Sequence, residues 1–271
     1  MSQVRRPPRR TRLTGQSFNR ILPNLMTLLG LCIGLSSIRL GLDGKYGDAV
    51  IAIAVSAVID GVDGRLARLL KATSRFGAEF DSLADFLCFG IAPALLIYMW
   101  SLEPWGAIGF LPPLMYASAM ALRLARFNAA LDSAPKAAFA YNFFTGVPAP
   151  AGAGLALFPL FIGLEADKLH TSWLREAVGY PIFPGAVLVV VALLLVSTLP
   201  VWSFKNFKIP AASTLPLLLG VVVFAAILLA DPYAAGALLD ITYIAMLPFS
   251  LRSYRRLAAE AQSRRATLPD S

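Results

Sequence analysis

The chain alternates between long apolar runs and short polar connections over most of its length. Eight apolar runs can be drawn, each close to the roughly 20 residues that cross a bilayer as an α-helix. They occupy residues 25–42, 46–67, 80–100, 105–128, 146–164, 183–202, 213–230 and 235–251. This pattern predicts an all-α integral membrane protein with about eight transmembrane helices.

The basic residues predict how these helices are oriented. Twenty of the twenty-four Lys and Arg residues lie in the two tails and in the connections that an eight-span topology places on one side. The four on the other side are Arg39, Lys45, Lys168 and Arg175. Because connections rich in Lys and Arg stay in the cytoplasm, we expect both termini to be cytoplasmic.

The two ends of the chain differ in composition from its middle. Residues 1–20 contain six arginines and no acidic residue, which predicts a basic, flexible cytoplasmic tail. Residues 253–271 are predicted to form a second basic cytoplasmic tail. The transmembrane domain, residues 21–252, would then hold any catalytic site.

The overall composition supports a membrane protein and disfavours a nucleic-acid partner. Hydrophobic residues make up 57% of the chain and charged residues only 15%, whereas soluble domains are about 25% charged. The net charge of +8 comes from residues that lie between and beyond the apolar runs, so it points to a membrane surface. The two cysteines, Cys32 and Cys88, lie inside apolar runs and form no disulfide framework or paired metal motif.

Four carboxylates lie near the predicted cytoplasmic ends of the second and third spans: Asp60, Asp63, Asp81 and Asp85. The first two are three residues apart and the last two are four apart, so each pair shares one helical face. Isolated charges are costly in a membrane, and carboxylate oxygens are the preferred ligands of hard divalent cations. The spacing therefore predicts a site for divalent cations.

The residues around these carboxylates favour a phosphate ester as the ligand. Gly61 and Gly64 allow the backbone to approach a bulky ligand closely, and four basic side chains follow, Arg65, Arg68, Lys71 and Arg75. Two cations about 4 Å apart would neutralise a diphosphate. Asp85 lies about 12 Å into its helix, where it could be a cation ligand, a general base or both.

The acidic stretch resembles the signature of the CDP-alcohol phosphotransferase family. Its pattern is Asp60-x2-Asp63-Gly64-x2-Ala67-Arg68-x8-Gly77-x3-Asp81-x3-Asp85. The resemblance implies six core helices around an interfacial site that holds two divalent cations, Mg or Mn. It also implies a homodimer in which a CDP-linked lipid gives its phosphatidyl group to an alcohol and CMP leaves.

The resemblance also implies roles for individual residues. Asp60 and Asp81 would bridge both cations, Asp63 would complete the first site, and Asp85 would bind the second cation and accept the proton. The residues implied in CDP binding are Asn24, Thr27, Gly64, Arg68 and Ser74.

Later segments resemble the members of this family that use serine as the acceptor. These are residues 22–24, 76–86, 90–94, 123–128 and 144–150. They imply CDP-diacylglycerol and L-serine as substrates, in a bacterial cytoplasmic (inner) membrane with the active site facing the cytoplasm. Arg123 and Arg126 could bind the serine carboxylate, with a hydrogen bond from Asn128; alternatively, the arginines anchor a helix end at the cytoplasmic surface.

Three other functions compete with this interpretation. Another enzyme of the same family would use glycerol phosphate or inositol phosphate and need a basic pocket for the extra phosphate. A cation transporter would carry polar residues through the whole membrane, but the spans after Asp85 are nearly uncharged. A scaffold that only binds the CDP-lipid would not need Asp85.

His170, the single histidine, is predicted on the opposite side, so a phosphohistidine intermediate is not expected.

Overall fold

Helices account for most of the computed structural model, which describes residues 18–131, 143–202 and 211–266. The α-helices are α1 (Phe18–Leu42), α2 (Tyr46–Leu69), α3 (Arg75–Asp85), α4 (Ala92–Ile97), α5 (Gly106–Gly109), α6 (Leu111–Leu131), α7 (Ala149–Lys168), α8 (Ser172–Gly179), α9 (Ile182–Val196), α10 (Ala211–Ala230) and α11 (Pro232–Ala266). The prediction of an all-α membrane protein is confirmed. Residues 1–17 of the predicted N-terminal tail and residues 267–271 lie outside the described part of the chain.

Within the described residues, four helical segments are long and apolar enough to cross a membrane: Ile21–Leu42, Arg75–Gly109, Ala149–Lys168 and Pro232–Leu257. A fifth arises if α8 and α9, which meet at a bend of 50°, form one broken span. Helices α2 and α6 have spanning length but carry the charged residues of the site, which lower their hydropathy. The prediction of eight spans with cytoplasmic termini therefore stays a prediction.

The predicted third and fourth spans, residues 80–100 and 105–128, are divided at a different place in the structure, because the first helical path extends to Gly109 and α6 begins at Leu111. Residues 75–109 form one helical path in which π-helical segments, Phe86–Ile91 and Tyr98–Leu102, flank α4, and a 3₁₀ turn, Glu103–Trp105, precedes α5. Wider π turns insert an extra residue into a helix and are frequent at functional sites. The first of them begins directly after Asp85, so the helix geometry changes at the edge of the acidic cluster.

A short antiparallel pair of strands was not predicted. Strand β1 (Phe143–Thr145) pairs with β2 (Pro200–Trp202), and Phe144 lies opposite Val201. The predicted sixth span ran to residue 202, but α9 ends at Val196. Pro200 explains the early end, because a proline cannot continue the helical hydrogen bonds and its ring disfavours helical backbone in the preceding residue.

The buried core lies between the π-helical segment, α4, α6, α7 and α9. Its largest fully buried side chains include Phe89, Leu96, Tyr116, Met120 and Leu160. The Tyr116 hydroxyl donates to the Phe89 carbonyl oxygen at 2.6 Å, which satisfies two polar groups in an apolar interior. This packing fixes the first π-helical segment, and with it Asp85, against α6.

Helix α11 is tied to α7 at the end opposite the acidic cluster. The Lys168 ammonium pairs with Asp231 Oδ2, and Asp231 Oδ1 accepts the backbone N–H groups of Tyr233 and Ala234 at 3.2 Å. Asp231 thus caps the first turn of α11. The helix then runs without interruption to Ala266, past the proposed domain boundary at residue 252.

Candidate metal centre and surrounding cleft

Three of the four predicted carboxylates meet at one point. One carboxylate oxygen each from Asp60, Asp63 and Asp81 lies within 4.8 Å of the other two. The first two come from the last turns of α2, and Asp81 comes from α3, which packs beside α1 after the connection at residues 70–74. The i,i+3 spacing on α2 directs both of its carboxylates to the same side, as the sequence predicts.

Asp85 lines the same cleft as Asp60 and Asp63, and it interacts electrostatically with Asp60 and Asp81. Carboxylates at such short separations repel one another unless protons or cations lie between them. The donor set consists only of oxygen atoms from carboxylates, which suits Mg²⁺ or Mn²⁺ and disfavours softer metals. The residues therefore fit a divalent-cation centre.

Thr27 orients one of the cluster carboxylates. Its hydroxyl lies 2.6 Å from Asp63 Oδ2 and 3.1 Å from the Pro23 carbonyl oxygen, so it can donate to Asp63 across the interface of α1 and α2. Both Thr27 and Asp63 are buried. The CDP contact predicted for Thr27 is a separate role, whereas this hydrogen bond orients a carboxylate oxygen of the cluster.

Asn24 and Ser74 meet at the start of α3. Ser74 is the N-cap of this helix and accepts a hydrogen bond from the Gly77 N–H at 3.0 Å. A Cβ atom at Gly77 would lie 3.1 Å from both Asn24 Oδ1 and Ser74 Oγ. The two predicted CDP-binding side chains thus lie side by side, over a position where only glycine fits without displacing them.

Gly64 faces open space, and Arg68 folds back over it. Apart from the backbone of α2 itself, no atom in the part of the chain that the structure describes lies within 4 Å of a Cβ placed on Gly64 or on Gly61. The Arg68 Nε donates to the Gly64 carbonyl oxygen at 3.0 Å, which leaves its terminal nitrogens toward solvent. An open glycine beside an exposed guanidinium matches what a phosphate-bearing ligand requires.

A small cleft that is open to solvent adjoins the cluster and is lined by Thr27, Gly30, Leu31, Ser56, Asp60, Asp63, Ala84, Asp85, Cys88 and Phe89. It is far smaller than the pockets of roughly 300–1,000 Å³ that enclose a drug-sized ligand, so most of a large ligand must lie outside it. Apolar and carboxylate side chains share the lining, as expected where a lipid-linked phosphate meets cations.

Arg123 and Arg126 have different surroundings although they lie one turn apart on α6. The Arg123 Nε donates to the Val147 carbonyl oxygen, and its guanidinium interacts electrostatically with Asp85. Arg126 donates to the Val196, Ser197 and Leu195 carbonyl oxygens at 2.8, 3.0 and 3.5 Å. These carbonyls end α9, where a basic side chain is favourable. Arg123 is thus next to the acidic cluster, and Arg126 is occupied in holding α9.

Asn128, the third predicted serine contact, is bonded to α3. Its side-chain amide pairs with the Ser82 hydroxyl, which lies 3.0 Å from Asn128 Nδ2 and 3.1 Å from Oδ1. Ser82 directly follows Asp81, so this contact holds the cluster helix against α6. Neither this pairing nor the bond between Thr27 and Asp63 could be predicted from local patterns, because both join residues more than 30 positions apart.

Fold and site together define a class: a helical membrane protein in which carboxylates from two successive long helices, α2 and α3, form one cluster that could hold a cation. Residues 20–196 match the model of the CDP-alcohol phosphatidyltransferase family. Residues 214–248 match a second model, CDP-alcohol phosphatidyltransferase 2. The chain belongs to the CDP-alcohol phosphatidyltransferase family.

Relatives with established names fall in the same group. The chain is 39% identical over 239 residues to CDP-diacylglycerol–serine O-phosphatidyltransferase of Mycobacterium tuberculosis, an alignment that covers 88% of this chain and 81% of the relative. It is 32% identical over 188 residues to the protein of the same name from Helicobacter pylori, covering 69% and 74%. It is 34% identical over 137 residues to archaetidylserine synthase of Methanothermobacter thermautotrophicus, covering 49% and 54%.

Proposed function

We propose that the protein is a phosphatidylserine synthase, which transfers the phosphatidyl group of CDP-diacylglycerol to the hydroxyl of L-serine and releases CMP. The observation that carries this proposal is the meeting of Asp60, Asp63 and Asp81 beside Asp85. The names of its relatives from two bacterial genera support serine as the acceptor. We further propose that it works as a homodimer in the bacterial cytoplasmic membrane with its site toward the cytoplasm.

The carboxylates would divide the chemical work. Asp60, Asp63 and Asp81 would hold two divalent cations, with Asp85 as a further ligand; bound there, the cations supply charge neutralisation for the diphosphate and the leaving phosphate. Asp85 would accept the proton of the serine hydroxyl. The serine oxygen then forms a bond to the β-phosphorus, and the bond from that phosphorus to the CMP oxygen breaks, with its electron pair leaving on CMP.

The remaining site residues would position the two substrates. Asn24, Ser74, Gly64 and Arg68 line the approach to the cluster and would hold the CDP moiety, with Thr27 supporting Asp63. Arg123 would bind the serine carboxylate. It interacts electrostatically with Asp85, and its hydrogen bond to the Val147 carbonyl oxygen uses Nε rather than the two terminal nitrogens of the guanidinium. For Arg126 and Asn128 the described bonds favour a positioning role over direct serine contact.

The test of this function is product identification. Purified protein in detergent or liposomes is supplied with CDP-diacylglycerol, Mg²⁺ or Mn²⁺, and one labelled acceptor at a time: L-serine, glycerol 3-phosphate or inositol phosphate. We expect a serine-containing lipid and an equal amount of CMP. A lipid formed only from another acceptor would reject serine but keep the reaction type, and CMP release with no lipid product would reject the transfer itself.

The open space at Gly64 gives a prediction about the CDP-lipid. In Gly64→Ala the added methyl group meets no protein atom, so the thermal stability should be kept or slightly raised by the better helix propensity of alanine. A ligand that approaches the backbone closely would be displaced. We expect KM for CDP-diacylglycerol to rise by roughly tenfold or more, equivalent to about 1.4 kcal/mol, with little change in KM for serine.

Gly220→Ala is the matched control. A Cβ atom added to Gly220 would also have no described atom outside its own helix backbone within 4 Å, but Gly220 lies on α10. It should show the same small gain in stability and unchanged kinetics. If Gly64→Ala behaved like Gly220→Ala, the CDP-lipid would not pass over Gly64.

A further inference from the structure

The turn at Gly146 and Val147, which joins strand β1 to helix α7, takes no part in the chemistry of the carboxylates. Gly146 has a φ of +78°, a backbone conformation that residues with a side chain rarely adopt. A Cβ atom added there would lie 2.8 Å from the Ser197 carbonyl oxygen and 3.2 Å from that of Leu195. Glycine is therefore required twice at this position, for the backbone angle and for the close contact with the end of α9.

The backbone on both sides fixes the direction of the Val147 carbonyl group. On one side, the Gly146 N–H donates to the Leu199 carbonyl oxygen at 2.8 Å, beside the strand pair β1–β2. On the other side, Pro148 is the residue before α7, and a proline restricts the residue that precedes it to extended conformations. Val147 itself is completely buried. Its carbonyl group therefore has little freedom to turn.

This fixed carbonyl group is the hydrogen-bond partner of Arg123. The Arg123 Nε donates to the Val147 carbonyl oxygen, a bond that leaves the two terminal nitrogens of the guanidinium for a ligand. Two N–H groups side by side on one guanidinium match the two oxygens of a carboxylate. The position of the Val147 carbonyl oxygen thus determines where Arg123 can bind a carboxylate.

Arg123 and Asp85 lie in the same part of the interface of α6. Two hydrogen bonds join α6 to the helical path that contains Asp85, namely Tyr116 to the Phe89 carbonyl oxygen and Asn128 to Ser82. Asp85 lies between the two partners on its own path, and Arg123 lies between the two donors on α6. Arg123 is also about two turns from Tyr116, on the same face of α6. The electrostatic interaction between Arg123 and Asp85 agrees with this placement.

Arg126 packs against the other side of the turn. Its terminal nitrogens donate to the Val196 and Ser197 carbonyl oxygens at 2.8 and 3.0 Å. Its Nη2 would lie 3.1 Å from a Cβ atom on Gly146. The turn is therefore held between α6 and the end of α9, so that a displacement of Gly146 would move the carbonyl group that follows it.

We propose that the Gly146–Val147 turn is the positioning element of the acceptor site, and that it holds the Arg123 guanidinium where the carboxylate of an amino-acid substrate binds. This inference rests on the proposed function, in which serine is the acceptor. Gly146 and Val147 are positioning residues, because they act through Arg123. An acceptor without a carboxylate gains nothing from this arrangement, so the turn favours an amino acid over a simple amino alcohol.

The experiment compares serine with two analogues that each lack one of its charged groups. Ethanolamine lacks the carboxylate, and 3-hydroxypropionate lacks the ammonium group. KM and kcat for serine, KM for CDP-diacylglycerol and the inhibition constants of both analogues are measured for the wild type and Gly146→Ala. We expect KM for serine and the inhibition constant of 3-hydroxypropionate to rise together by about tenfold, because a displaced guanidinium weakens the binding of both. KM for CDP-diacylglycerol and the inhibition constant of ethanolamine should change little.

A double-mutant cycle shows whether Gly146 acts through Arg123. Arg123→Gln alone should raise KM for serine by about 100-fold, because the bound carboxylate loses its counter-charge. Adding Gly146→Ala to Arg123→Gln should raise KM no further, since the guanidinium that the turn positions is already absent. Additive effects of the two substitutions would overturn the inference, because they would show that Gly146 affects the site independently of Arg123.

Gly44→Ala is the matched control, and Pro148→Ala is a milder variant. Gly44 has a φ of +72°, so alanine there causes similar backbone strain, but it lies in the turn between α1 and α2 and should keep the wild-type KM for serine. Pro148→Ala releases the restriction on Val147 without adding bulk, and KM for serine should rise by about threefold. If Gly146→Ala does not fold, Pro148→Ala and its combination with Arg123→Gln provide the same test.

The outcomes separate this inference from the function on which it rests. If the wild type makes no serine lipid, the proposed function fails and this inference fails with it. If the wild type makes that lipid but Gly146→Ala and Pro148→Ala keep its KM for serine, only the positioning role of the turn is overturned. An equal rise in the inhibition constants of ethanolamine and 3-hydroxypropionate would also overturn it, because it would indicate a general disturbance of the site.

Discussion

Asp85→Asn is expected to lower kcat by about 10²–10⁴-fold, the usual contribution of a positioned general base. The asparagine side chain has nearly the same shape and keeps one oxygen that can ligate a cation, but it cannot take the proton of the acceptor hydroxyl. KM for CDP-diacylglycerol should change little, since Asp60, Asp63 and Asp81 still form the cluster. The measurement is steady-state transfer to labelled serine at saturating Mn²⁺.

The controls for this variant separate a base from a cation ligand. Asp43→Asn makes the same chemical change at an exposed residue after α1 and should leave kcat unaltered. The affinity for Mn²⁺, followed by electron paramagnetic resonance of the free ion, should fall only modestly in Asp85→Asn. A large loss of Mn²⁺ affinity together with recovery of kcat at high Mn²⁺ would contradict the base and assign Asp85 to cation binding alone.

Local spacing predicted the acidic cluster well, because helix geometry alone puts residues three or four apart on one face. Asp60 and Asp63 needed no knowledge of the rest of the fold to be paired. That Asp81 of α3 would join them depended on the connection at residues 70–74 bringing the two acidic faces together, which helical periodicity alone does not predict. The structure brings these three carboxylates within one cation's reach.

Hydrogen bonds between residues far apart in the chain could not be predicted from the sequence. They change how Arg123 and Arg126 are interpreted. Arg123 and Arg126 looked equivalent, since both lie at the end of a predicted span. The α9 carbonyls that accept from Arg126 are about 70 positions away, and no periodic pattern predicts that partner. For the same reason the strand pair β1–β2 was not predicted, since it depends on where α9 ends relative to residues 143–145.

The last apolar run contained a signal that the hydropathy pattern obscured. A single carboxylate, Asp240, interrupts a stretch that is otherwise apolar. It lowers the mean hydropathy over some 20 residues only slightly, so the segment is still predicted to be a spanning helix. Its packing strengthens that signal, because Asp240 lies against Gly154 of α7 and its Oδ2 atom has no hydrogen-bond partner in the part of the chain that the structure describes. An isolated charge in an apolar helix is a stronger indication of function than the mean hydropathy of that helix conveys.

Asp60→Asn is expected to reduce transfer by about 10³-fold or more, which corresponds to several kcal/mol of lost charge stabilisation. Asp60 is one of the three carboxylates that meet, and it also interacts electrostatically with Asp85, so it links the two parts of the cluster. Its loss removes one negative charge from the place where cations and diphosphate must meet. The measurement is serine transfer as a function of Mn²⁺ concentration, alongside direct Mn²⁺ binding to the purified protein.

Two comparisons make this result specific to the metal centre. Asp48→Asn removes the same charge from the first turn of the same helix and should keep wild-type activity. Treatment of the wild type with a chelator should abolish transfer, and added Mg²⁺ or Mn²⁺ should restore it, whereas Asp60→Asn should need at least about 100-fold more Mn²⁺ for half-maximal rate. If chelation left the wild type active, or if Asp60→Asn kept its Mn²⁺ affinity, the carboxylates would hold no catalytic cation, and the mechanism would have to rest on Arg68 and Arg123 as the charges that stabilise the leaving phosphate.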